Sequence, residues 1–194
     1  MRSAGPPQAS AHRSTPCGGD PVSHCSIRAL GPDDAAAYQA LRLRGLREHP
    51  EAFTSSAEQD ANALLTWARQ RLAGDAARPH DFFLGAFDSD ALIGIVGLEA
   101  RYRPKERHNA TLVGMYVPRE RAGAGVGRLL AVALVARARA NPVLEQIDLT
   151  VTAGNVPAQA LYEHCGFSVV GLWPRAVRID GRYLDKVRMQ LQLR

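Results

Sequence analysis

No stretch of this chain approaches the roughly eighteen consecutive apolar residues of a transmembrane helix, so no membrane partner is expected. Arg2 is not followed by an apolar segment and cleavage site, so no secretory signal is expected. Aromatic residues are scarce, at 6%, and the arginines are scattered among Asp and Glu instead of forming one basic block. The formal charge of +5 is therefore first a solvated surface, then positive charge for a ligand bearing several phosphates. Nucleic acid comes third, and no nucleic-acid partner is expected. Cysteine is nearly absent: Cys17, Cys25 and Cys165 are odd in number and lack useful spacing, which fits reduced thiols in a cytoplasm. His12, Cys17, His24 and Cys25 are too irregularly spaced for a metal site, and no metal is expected. There is no internal repeat and no Gly-Lys dipeptide, which excludes a Walker loop.

What is present suits one soluble globular domain: 194 residues, 46% hydrophobic and 22% charged. Residues 1–25, rich in Pro, Gly and Ser without hydrophobic period, read as a disordered or non-native tail ahead of a domain over 26–194. Ser26–Leu30 reads as a strand, and Gly31-Pro32-Asp33-Asp34 starts a helix that ends before Pro50. A second helix carries Leu64, Leu65, Trp67, Ala68 and Leu72. Strands follow at Phe82–Phe87, Leu92–Arg101 and Ala110–Val117, then a helix with Val126, Leu129, Leu130, Ala133 and Leu134 on one face. Ile147–Val151 completes a βαβ unit and hence a parallel pair. Asn155 opens a last helix, and a hairpin around Asp180-Gly181 closes the chain.

The informative segment is the glycine run between the third of those strands and its helix: Ala122-Gly123-Ala124-Gly125-Val126-Gly127-Arg128. Its glycines leave main-chain N–H groups uncovered where a helix begins, a geometry that binds phosphate. A dinucleotide fingerprint is excluded because Arg128 stands where its third glycine would fall. Gly-x-Gly-x-Gly after a strand ending Tyr-Val resembles the acetyl-CoA-binding motif of the GNAT superfamily of N-acetyltransferases. Ala122 departs from the family pattern, which has Arg or Gln there; Arg121 or Arg128 would have to supply that charge.

A second segment, Asn155 to Phe167, resembles the family's Asn-x-x-Ala-x-x-Leu-Tyr-x-x-x-Gly-Phe. Asn155 and Tyr162 are seven residues apart, on one helix face. Taken singly each has a plain structural reading, as helix cap and half-buried core residue. The element order also matches the GNAT fold: α/β (α+β), a mixed, mostly antiparallel central sheet flanked by helices, with a splayed parallel strand pair at the cofactor site.

The resemblance implies acetyl-CoA as co-substrate. Its pyrophosphate would lie on the amides of residues 122–128, with the pantetheine arm along Met115, Tyr116 and Val117, beside a bulge that splays the strand. Asn155 would bond that arm, and Tyr162 would act as general acid towards the leaving thiolate. Many relatives place a basic Glu where Thr111 stands here. Glu99, expected among apolar neighbours, is the first substitute, His108 the second, and a water chain the third. The loop Arg47–Phe53 and the closing hairpin are expected to choose the acceptor, a small-molecule amine in preference to a protein N-terminus or lysine. A homodimer is compatible with all of this. A catalytically silent acyl-CoA sensor is the rival reading.

Overall fold

The computed structural model describes residues 25–61 and 65–194. The expected tail therefore lies outside the described residues, apart from Cys25, and so do His12, Cys17 and His24. Cys25 itself opens the first strand, β1 (Cys25–Ala29). Two 3-10 turns flank α1 (Ala35–Glu48), the second at Pro50–Ala52. The second expected helix is described over α2 (Ala57–Ala61) and α3 (Leu65–Ala73); Leu64 lies outside the described residues. Then come β2 (Phe82–Asp88), β3 (Ala91–Ala100), β4 (Asn109–Tyr116), α4 (Val126–Arg139) and β5 (Gln146–Thr152). The chain closes with α5 (Val156–His164), β6 (Ser168–Ile179) and β7 (Arg182–Gln192). Among the described residues no helix is long and apolar enough to cross a membrane.

The strands form one sheet in the order β1-β2-β3-β4-β5-β7-β6. Only β4 and β5 run parallel, because α4 carries the chain back between them. Helix α4 buries Leu130 and Leu134 against Leu98, Leu112 and Ile147 on one face of the sheet. Each such leucine contributes about 1.5–3 kcal/mol. On the other face α1 and α3 pack Tyr38, Leu41, Ala68 and Leu72 against Phe83, Phe87, Ile95 and Tyr116. Period-two alternation decides which face each side chain joins. Leu112 therefore points to α4, while Tyr116, past an irregularity in β4, points to α1.

That irregularity governs the site. The β3–β4 register shifts between Ile95 and Gly97, where Ile95 faces Tyr116 and Gly97 faces Val113, so β4 carries an extra residue there. Gly114 takes it up at φ 62°, a conformation that costs other residues dearly. Pairing of β4 with β5 covers only Asn109–Thr111 against Gln146–Asp148. Beyond Thr111 and Asp148 the strands part, as the splayed pair was expected to.

Candidate active site

The glycine run sits at the open end of this fork. The 3-10 turn Arg119–Arg121 leads into it and is pinned to α1 by Arg44. The Arg44 guanidinium grips the two Glu120 oxygens at 2.6 and 2.7 Å and reaches Glu48 at 2.7 Å. These bonds draw the Glu120 carboxyl down to about 2. Gly125 caps α4 in the left-handed region at φ 79°, and a Cβ built there would meet no protein atom within 4 Å. The space before the loop is open. The first satisfied helix amide is that of Leu129, on the Gly125 carbonyl at 3.0 Å. The amides of Gly125, Val126, Gly127 and Arg128 have no acceptor among the described residues. Four uncommitted donors at the positive end of a 14-residue helix make an anion cradle. Arg121 is spent on Asp88 at 2.8 Å, whereas Arg128 is exposed and in no ion pair among the described residues.

A crevice of about 160 Å³ lies between β4 and β5, and one of its lining residues, Leu161, would lie 3.4 Å from a Cβ at Gly127 of the cradle. Gly114, Met115, Leu149 and Thr150 line its sides, α5 closes one face with Asn155, Leu161 and Tyr162, and Ala52 and Phe53 stand at the other. Asn155 does cap α5, its Oδ1 accepting the Ala158 amide at 3.2 Å, yet it also lines the crevice. The structural and ligand-binding readings of Asn155 are thus compatible. Tyr162 is buried and meets Phe167 edge-on at 5.7 Å. Its hydroxyl has no hydrogen-bond partner among the described residues, and burial pushes its pKa up, so it carries its proton at neutral pH. Cys165 beside it is no nucleophile: burial raises the thiol, although Arg128 pulls the other way.

Other expected residues sit elsewhere. The Tyr116 side chain turns to the far face, donating to Glu48 at 2.8 Å; burial, then that bond, pushes its phenol up to about 12. Val117 packs into the core beside α4. Only the main chain of these two residues can face the crevice. Glu99 is not among apolar neighbours: Arg71 donates to its carboxylate at 2.5 Å, and it borders a separate hollow under α3. Period two explains this, since Glu99 lies opposite Thr111 on the α1 face, one strand away from the fork. His108 stands at the closed end of the sheet, its carbonyl accepting the Glu145 amide at 2.8 Å, and shares a surface hollow with Pro104 and Arg107. Glu48 is committed to Arg44 and Tyr116, and Arg175 and Arg178 stack on Tyr183.

Three polar groups on the α1 face were not anticipated. Asp148 occupies the last paired position before the strands part; it accepts the Thr111 hydroxyl at 2.8 Å and Arg101 at 2.9 Å. Its signal was the alternation in Ile147-Asp148-Leu149-Thr150-Val151, which puts one carboxylate on a strand face shared with Thr150. Arg42 is 9% exposed, pairs with Asp60 at 2.5 Å, and would lie 3.4 Å from a Cβ at Gly114. Thr152 and Lys186, side by side on β5 and β7, reach up to the turn after α1.

The model of the acetyltransferase (GNAT) domain matches residues 27–188, most of the chain. The chain belongs to the GNAT acetyltransferase family. It is accordingly an acyltransferase of GNAT type. It is 30% identical to phosphinothricin N-acetyltransferase of Alcaligenes faecalis, over 96% of this chain and 95% of that protein. It is 33% identical to the L-methionine sulfoximine/L-methionine sulfone acetyltransferase of Pseudomonas paraeruginosa, over 54% of this chain and 62% of that one. A Salmonella typhimurium protein solved with its cofactor acetyl-CoA shares the fold at TM-score 0.72 and 22% identity, covering 89% of this chain and 95% of that one.

Proposed function

We propose that the protein transfers an acetyl group from acetyl-CoA to the primary amine of a small molecule, by direct attack of the amine on the thioester. The row of uncommitted amides from Gly125 to Arg128, next to the crevice that Leu161 and Tyr162 line, carries this reading. The residues suit the ligand: the amides and the free Arg128 meet a pyrophosphate. The bulge at Gly114 frees main-chain groups of Met115 for a pantetheine arm, and Asn155 offers its side-chain amide beside them. Relatives named for phosphinothricin and methionine sulfoximine favour a small amine, an amino acid in particular.

In the reaction the amine nitrogen bonds to the carbonyl carbon and the carbon–sulfur bond breaks. Tyr162 gives its proton to the departing sulfur, where negative charge develops; an undissociated, otherwise unpartnered phenol is suited to that step. Asp148, at the point where β4 and β5 part on the α1 face, takes the proton that the amine loses, directly or through one water. Glu99 and His108 are outside this scheme: Glu99 lies one strand further from the fork and is held by Arg71, and His108 stands at the opposite end of the sheet.

The test is release of the CoA thiol from acetyl-CoA in the presence of phosphinothricin, L-methionine sulfoximine, free amino acids and peptides. Turnover on the amino acids supports the reading, and turnover on peptides alone moves the acceptor to proteins. Tight calorimetric binding of acetyl-CoA without turnover on any amine overturns it in favour of a sensor.

A further inference from the structure

Lys186 lies on β7 with 2% of its surface exposed, and no carboxylate lies within ion-pairing distance of it among the described residues. Its ammonium instead donates to two consecutive main-chain oxygens, Glu51 at 3.2 Å and Ala52 at 2.9 Å. Its cross-strand neighbour Thr152 donates to the same Glu51 oxygen at 2.6 Å. Burying an ammonium against carbonyls alone is expensive, and a methionine would fill the volume without that cost. What the lysine supplies is geometry. Three hydrogen bonds from two central strands seat the three-residue turn Pro50–Ala52, whose last residue, with Phe53 after it, walls the crevice. The nearest charged side chain on the turn, Glu51, points to His49 at 3.4 Å.

We propose that Thr152 and Lys186 form a clamp that holds Glu51–Phe53 as a fixed cover over the acceptor side of the crevice. They are positioning residues: Lys186 lies outside the crevice and Thr152 only borders it, and together they set the width of the acceptor opening and keep water from the thioester. This rests on the acetyl-transfer reading above. A cover held from the sheet stays in place before the amine arrives, so the opening selects acceptors by size instead of remoulding around them.

The experiment compares wild type with Lys186→Met and Thr152→Val. Amide hydrogen exchange over residues 49–54, calorimetric binding of acetyl-CoA, and CoA release without amine and with amines of increasing bulk are measured on each. Expected are exchange faster by about tenfold in that segment alone, release without amine raised several-fold, and relative gain on bulkier amines, with acetyl-CoA affinity within about twofold of wild type. Unchanged exchange, or exchange that quickens equally in β2 and α4, overturns the clamp. So does unchanged selectivity with unchanged thioester loss. If Lys186→Met does not fold, Thr152→Val removes one bond and no charge and carries the same readouts at smaller size. If wild type turns over no amine, the acetyl-transfer reading fails while the exchange data still report on the clamp.

Discussion

Two hollows open beside the sheet, and the larger is the wrong one. The cavity under α3 measures about 600 Å³, against about 160 Å³ for the fork of β4 and β5. Four of its charged groups are engaged in pairs, Arg71 with Glu99 at 2.5 Å and Arg78 with Asp81 at 2.7 Å, and Arg137 lies over the Phe82 ring. Asp81 also accepts the Ala100 amide at 2.8 Å and the Tyr102 hydroxyl at 2.9 Å. Arg71 stacks near Trp67 and Phe83, and only its buried Nε lacks a partner. In the fork the opposite holds, with four main-chain amides, a phenol and the Arg128 guanidinium all uncommitted. Donors fixed in one direction at a helix N-terminus and left without protein partners are ready for an anion, whereas the charges beside α3 are largely spent on one another. Volume measures where atoms are missing; uncommitted groups mark where chemistry can occur.

The sharpest way to break this comparison is Gly125→Val. A β-branched residue at φ 79° is strained by about 1–2 kcal/mol and puts carbon where phosphate would approach. Acetyl-CoA affinity should fall by about 100-fold or more in calorimetry while the far-UV circular dichroism is kept; retained affinity would remove the cradle from the site. Next in size, Tyr162→Phe should lower kcat by about 100-fold with acetyl-CoA affinity and melting temperature unchanged. Equal loss of rate and affinity would make Tyr162 a binding residue.

Two carboxylates can be set against each other, Asp148 where β4 and β5 part and Glu99 beside α3. Asp148→Asn should reduce kcat/KM by about tenfold. Glu99→Gln should leave it unchanged and cost about 1 kcal/mol in denaturant unfolding through loss of the Arg71 pair. A rate loss in the second variant and not the first would return the proton transfer to Glu99.

The smallest effect concerns pH. Burial holds the Lys186 pKa below its ordinary 10.5. Between that lowered value and 10.5 the folded protein binds fewer protons than the unfolded chain, so this residue's contribution to stability rises with pH across the window. The melting temperature of wild type relative to Lys186→Met should climb as the pH rises through that window towards 10.5. A flat difference would mean that the ammonium is less desolvated than its burial implies.

Local chemistry made much of the molecule legible before any packing was considered. The strand–glycine–helix signal, the Asn155–Tyr162 pair and the Asp180-Gly181 hairpin depend on neighbours within two helical turns, where steric and hydrogen-bonding preferences act directly. Glu99 shows where such reasoning stops. Its flanking sequence is apolar, but its carboxylate meets Arg71, 28 positions away, once α3 folds over the sheet.

The sequence by itself determined the cradle, the family of folds and the chemistry of the thioester side, because main-chain geometry and helix phase are short-range properties. Only the tertiary structure decided the acceptor side. Asp148, Arg42, Thr152 and Lys186 come from β5, α1 and β7, and their partners lie 13 to 135 positions away along the chain. Which polar group finds which partner over such separations is settled by the packing of the sheet, since hydrogen bonds and ion pairs act only at contact.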